Sequence, residues 1–148
     1  MQDFTALARA ILDAQPFSRL LGTELIRAGE QGVELALALT PDLRQQHGFA
    51  HGGVIAYLAD NALTFAGGIG LGTAVLTSQM NIHYLNPARG GRLVARAVII
   101  ASRASSALAR CDVLAVEDGI ETTAAFATAL IRRSGTAGSD APRSGICS

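Results

Sequence analysis

The sequence predicts a single α+β domain in which an antiparallel sheet is covered by one long helix. Three observations carry this. The chain has 148 residues, 49% of them hydrophobic and 16% charged, which is enough to bury one ordinary core and too apolar for a disordered chain. One long apolar segment with helical spacing follows His51-Gly52-Gly53. Two alternating, strand-like segments precede it and four follow it, each bounded by turn-forming residues.

The elements follow in order. Residues 3–14 place Phe4, Leu7, Ala8, Ile11 and Leu12 at helical spacing, with Asp3 as the expected cap. Pro16 interrupts that helix. Phe17 to Leu21 forms a short second helical turn that Gly22 ends. Residues 1–21 are therefore an N-terminal helical segment. Thr23–Ile26 and Val33–Leu39 alternate around the turn Gly29–Gly32, which predicts a hairpin, and Thr40-Pro41-Asp42 breaks its second strand. A loop over 43–52 leads into the helix, expected from Gly53 to Ala66. Four strands are then expected at Val75–Leu85, Leu93–Ser102, Ala107–Val116 and Thr122–Arg132. Asn86 to Gly91, Ser102 to Ser106 and Glu117-Asp118-Gly119 separate them. An antiparallel sheet must cover an apolar face, and the central helix is its natural cover. The domain spans 22–133. The Gly/Ser/Pro-rich stretch 134–148 is expected to be a disordered tail.

Composition narrows the function. The formal net charge is zero, and no basic run marks a nucleic-acid or anionic-membrane partner. All twelve basic residues are arginine, so lysine Schiff-base chemistry is ruled out. Cys111, Cys147 and three scattered histidines match no metal spacing. No secretory signal opens the chain and no apolar run reaches the ~20 residues of a membrane span, so a cytoplasmic protein is expected.

The helix is unusual. At 100° per residue, Val54, Phe65, Leu58, Ala62, Ile55, Ala66 and Ala59 fall within an arc of roughly 140°, the expected core stripe. Asp60 lies about 120° beyond the edge at Val54, near Tyr57 and Thr64. It is the one charged residue between Val54 and Gly70. A solvated helix face carries several charges, so this second face is expected to be covered as well, by another subunit. A carboxylate there is costly unless it is paired or working. The glycines after His51 let a ligand approach the backbone, and free N–H groups at a helix start suit a developing negative oxygen. An oxyanion site plus a carboxylate points to acyl transfer.

Gly48-Phe49-Ala50-His51-Gly52-Gly53, with Asp60 nine residues after His51, resembles the hotdog-fold acyl-CoA thioesterases of the PaaI-like, phenylacetate-pathway type. The strand Leu76 to Ala88 resembles the strand that follows the helix in that family. The resemblance spans roughly 16–132. One departure is Gln45, where the family commonly carries Asn six residues before the His. The resemblance implies a hotdog fold over 22–133, with a sheet wrapped around the helix. It also implies a homodimer or homotetramer with acyl-CoA bound at the subunit interface, and no metal or organic cofactor.

On this reading the backbone N–H of Gly53, with that of Gly52, stabilises the oxyanion. Asp60 of the partner chain acts as general base or nucleophile, Gln45 orients the carbonyl or water, and Thr77 holds the lytic water. Ser78 is the rival hydroxyl, because a one-residue register slip exchanges strand faces. His51 touches substrate or braces the loop, and bracing is the preferred role. His83 is expected on one strand face with Thr77, Gln79 and Asn81. Arg89 and Arg92 either meet the CoA phosphates or decorate a solvated turn. Phe17, Leu20 and Leu21 line the acyl pocket or pack in the core, and Cys111 is a small core hydrophobe. A non-catalytic acyl-CoA sensor on the same fold is the competing reading, and such a sensor needs no Asp60. A dehydratase is disfavoured because His51 and Asp60 sit half a turn out of phase on one helix. A scaffold without activity is disfavoured by the isolated acid.

Overall fold

The computed structural model describes residues 3–135. The tail expected over 134–148 lies outside the described residues from 136 onward. The elements run α1 (Thr5–Ala14), α2 (Pro16–Leu21), β1 (Glu24–Gly29), β2 (Gly32–Ala38), a 3-10 turn at Pro41–Leu43, α3 (Gly52–Leu71), β3 (Val75–Tyr84), β4 (Arg92–Ser102), β5 (Ser106–Glu117) and β6 (Ile120–Arg133). The six strands form one antiparallel sheet in the order β1-β2-β4-β5-β6-β3, and α3 packs against every one of them.

Local chemistry starts and stops the elements as expected. The Asp3 carboxylate accepts a hydrogen bond from the Thr5 N–H at 2.8 Å at the head of α1, although Phe4 holds the formal cap position. Pro16 takes the first position of α2, where its missing N–H costs nothing. Gly22 closes α2 in the left-handed conformation at φ 69°.

The central helix departs from expectation in length. It continues through Gly67, Gly68 and Gly70 to Leu71, five residues past Ala66. Tertiary packing overrides the low helix propensity of glycine here. A Cβ on Gly67 would sit 2.6 Å from Ile131 Cγ2, so glycine is what lets the helix approach β6. At twenty residues with one charge, α3 is long and apolar enough by length and composition to cross a membrane, against the expectation that no run reaches that length. Burial on the sheet accounts for its apolar character. Val54, Ile55, Leu58, Ala59, Ala62, Leu63, Ala66, Gly67 and Leu71 are all buried. The buried arc is wider than the predicted stripe because the sheet curls around the helix. Phe65, predicted inside the stripe, is half-buried at its edge.

Strand β3 also departs from simple alternation. A bulge between Thr77 and Gln79 shifts its register against β6. Val75 and Thr77 before the bulge, and Met80 and Ile82 after it, are partly buried toward the helix. Gln79, Asn81 and His83 are exposed. Thr77 therefore does not share a face with His83, and the bulge is the reason. β3 is an edge strand: among the described residues it pairs with β6 alone.

Candidate active site

The loop before α3 is fastened from several sides. Arg44 donates to the carbonyls of Gly48 at 2.9 Å, Leu39 at 2.9 Å and Gly90 at 2.7 Å. The Ala50 N–H bonds Ala88 O and the His51 N–H bonds Leu43 O. Gly90 makes this possible with φ +91° and no Cβ, because a Cβ there would collide with the Val116 carbonyl oxygen.

His51 is the N-cap of α3, and its ring Nδ1 accepts a hydrogen bond from the Gly53 N–H at 2.8 Å. The ring thus braces the turn. This corrects the expected donor: the Gly53 N–H is committed to His51, whereas the Gly52 N–H makes no hydrogen bond among the described residues. Gly52 lines an open groove of about 460 Å³ with Gln45, Phe49, Tyr84 and Asn86. The Tyr84 hydroxyl donates to Gly52 O at 3.1 Å and helps fix the helix end. The Gln45 Oε1 accepts the His47 N–H, so this side chain shapes the loop while lining the groove.

Asp60 lies further along the helix and is half-buried. Thr77 donates to its Oδ1 at 2.6 Å. Thr64 Oγ1 lies 2.8 Å from Asp60 O and 2.9 Å from Thr77 Oγ1. Thr64 donates its one hydrogen to Asp60 O and Thr77 donates its own to the carboxylate, so the two hydroxyl oxygens stand in contact beside Asp60. The bulge turns Thr77 toward the helix and sends Ser78 away. Ser78 Oγ donates to Leu130 O at 3.1 Å in the sheet, so Ser78 does not join this group.

Gly52 and Asp60 are eight residues apart on one helix, a rise of ~12 Å. One carbonyl carbon cannot meet the Gly52 amide and the Asp60 carboxylate of the same chain.

The arginines separate. Arg89 stacks over the Phe49 ring at 4.7 Å and so stands beside the groove. Arg92 is 3.8 Å from Glu24 across the sheet and does not line the groove. Phe17 and Leu20 are exposed and Leu21 packs against the core. Phe17 meets Tyr57 edge-on with centroids 5.0 Å apart. Cys111 is fully buried, and that burial pushes its thiol up to about 12, which leaves it an inert core side chain. Among the described residues no three His, Cys, Asp or Glu side chains cluster as a metal site would require.

Sequence reasoning missed a polar relay beside Asp60. Thr23 bonds the Tyr57 hydroxyl at 2.7 Å, Tyr57 donates to Ser18 at 2.6 Å, and Ser18 donates to Gln15 Oε1 at 2.6 Å. Asn61 Nδ2 donates to the same Gln15 oxygen at 3.1 Å. One signal was present: Asn61 is a poor helix former inside an apolar helix, next to the isolated acid. Its partners on α2 and the preceding turn are too distant in sequence for any local pattern to show.

The comparisons with known proteins agree with this architecture. The model of the thioesterase superfamily matches residues 47–122, half of the chain. A thioesterase family protein of Silicibacter pomeroyi has a solved structure 31% identical to this chain, with a TM-score of 0.80, covering 84% of this chain and 93% of that one. A variant of the phenylacetic acid degradation protein PaaI of Thermus thermophilus is 27% identical, with a TM-score of 0.71, covering 81% of this chain and 100% of that one. A curated Haemophilus influenzae protein, provisionally named an esterase, is 34% identical over 82 residues, 54% of this chain. The chain spans about three fifths (59%) of that relative's length. The chain therefore belongs to the thioesterase superfamily and has the hotdog fold of its PaaI-like members.

Proposed function

We propose that the protein is an acyl-CoA thioesterase that works as a dimer, with each site formed by the Gly52 amide of one chain and the Asp60 carboxylate of the other. The observation that carries this is the spacing of the two groups on α3: each is built for acyl transfer, and one chain alone cannot apply both to a single carbonyl. Edge strand β3, with its outer backbone groups open to pairing and Leu76 65% exposed, supports an interface on that side of the sheet.

In this mechanism the thioester carbonyl oxygen accepts the Gly52 N–H at the positive end of the helix. Asp60, held by Thr77 through Oδ1, takes a proton from water with its second oxygen as the water attacks the carbonyl carbon. The tetrahedral oxyanion rests on the Gly52 amide. The C–S bond then breaks, and the leaving CoA thiolate takes up the proton while the free acid departs. Gln45 on the groove wall orients the carbonyl, and Arg89 beside the groove meets CoA phosphate. His51 acts indirectly, by holding the turn that aims the Gly52 amide.

The test is release of free CoA across short, medium, long and aryl acyl-CoAs, wild type beside Asp60→Asn. Loss of turnover by ~10²–10⁴ in a variant that still folds is the expected result. Undiminished turnover removes Asp60 from the mechanism. Wild-type binding of acyl-CoA with no release favours the sensor.

A further inference from the structure

A second cavity lies under the N-terminal helix, apart from the groove at Gly52. It holds about 150 Å³ between α1 and α3, and Leu7, Ile11, Phe65, Ile69 and Val75 give it apolar walls. One end is polar, formed by Gln15, Asn61 and Thr64. Thr64 is also the hydroxyl that contacts Asp60 O and Thr77 Oγ1. Its polar end is therefore one hydroxyl removed from the Asp60 carboxylate, through Thr77. Its lining on α3 runs from Asn61 through Thr64 and Gly68 to Ile69, a rise of ~12 Å along the helix.

We infer that this cavity receives the acyl tail of the substrate and that Gly68 sets the tail's length. The inference rests on the thioesterase reading above. A cavity of about 150 Å³ with aliphatic and aromatic walls has room for a benzene-sized group, which sets the preferred acyl chain at about six carbons. Gly68 lines it eight residues beyond Asp60. A Cβ built on it meets only Val75 Cγ2 at 3.6 Å, an ordinary contact, so a side chain there would occupy the cavity rather than displace backbone. The α1 wall is light: Leu7 is 52% exposed, so the helix covers the tail from one side only.

The test compares wild type, Gly68→Ala and Gly68→Leu on straight-chain acyl-CoAs from two to twelve carbons, with kcat/KM read for each. Both substitutions favour helix, and Gly68→Ala is expected to melt no lower than wild type. Wild type is expected to peak near six carbons. Gly68→Leu is expected to lower the ratio of hexanoyl to acetyl turnover at least ~10-fold, with Gly68→Ala between the two. An unchanged length profile in active, folded variants overturns the acyl-tail assignment and leaves the thioesterase reading standing. No turnover of any acyl-CoA by the wild type overturns both.

Discussion

The two faces of α3 are built on different rules. Toward the sheet, Leu58, Ala59, Ala62 and Leu63 are wholly buried, and Gly67 touches Ile131 so closely that no side chain fits. Toward α1 and β3, Tyr57, Asp60, Asn61 and Thr64 are each half-buried; the first three are held by a hydrogen bond to another element or turn, and Thr64 bonds Asp60 O within the helix. Close packing fixes the first face and leaves it no freedom for chemistry. A carboxylate, hydroxyls and amides are tolerated on the second because each has a partner. The fold uses one helix both to close its core and to present its reactive groups.

Breaking the sheet face is expected to have the largest effect on stability. Leu58→Ala leaves a cavity in a fully buried site and should cost ~2–5 kcal/mol in denaturant unfolding. Adjacent glycines then sharpen the contrast. Gly67→Ala drives a methyl into Ile131 and should cost ~1–3 kcal/mol. Gly68→Ala, one residue on and facing the cavity, should gain ~0.5–1 kcal/mol by removing glycine from a helix interior. Equal effects at the two positions would erase the distinction between the faces. The smallest effect is expected away from the helix altogether. Arg96 donates two hydrogen bonds to Glu121, which hold that carboxyl below its usual range. A carboxylate lowered in the folded state contributes above its unfolded pKa, and the contribution is lost as pH falls through the folded value. Both side chains are substantially exposed, so Glu121→Gln should change stability near neutral pH by no more than ~1 kcal/mol.

Much of this was legible in the sequence because it is local. Gly22, Pro16 and the strand alternations placed the elements, since each acts through its own backbone conformation or period. Asp60 stood out because an apolar helix carrying a single acid is anomalous without a partner. Other features depend on contacts distant in the chain. Past Ala66 the helix packs on β6, with Gly67 directly against Ile131, so three glycines misled a local reading. The choice of Thr77 over Ser78 depends on a bulge opposite β6, which no period of two can show. The proposed donor turned on one ring: His51 takes the Gly53 N–H, which leaves the Gly52 N–H as the one without a partner among the described residues.

The central claim, that the Gly52 amide and the Asp60 carboxylate of one site come from different chains, has a direct test. Gly52→Pro removes the N–H at the first helical position, where proline is tolerated, and His51 before it already has the extended ψ of 137° that a following proline requires. Gly52→Pro and Asp60→Asn, each inactive alone, are unfolded together, refolded as a mixture and assayed for CoA release. A site shared across a two-fold dimer predicts recovery of about a quarter of wild-type activity, because half the dimers are mixed and each carries one intact site. A mixture as inactive as its two components would contradict the account.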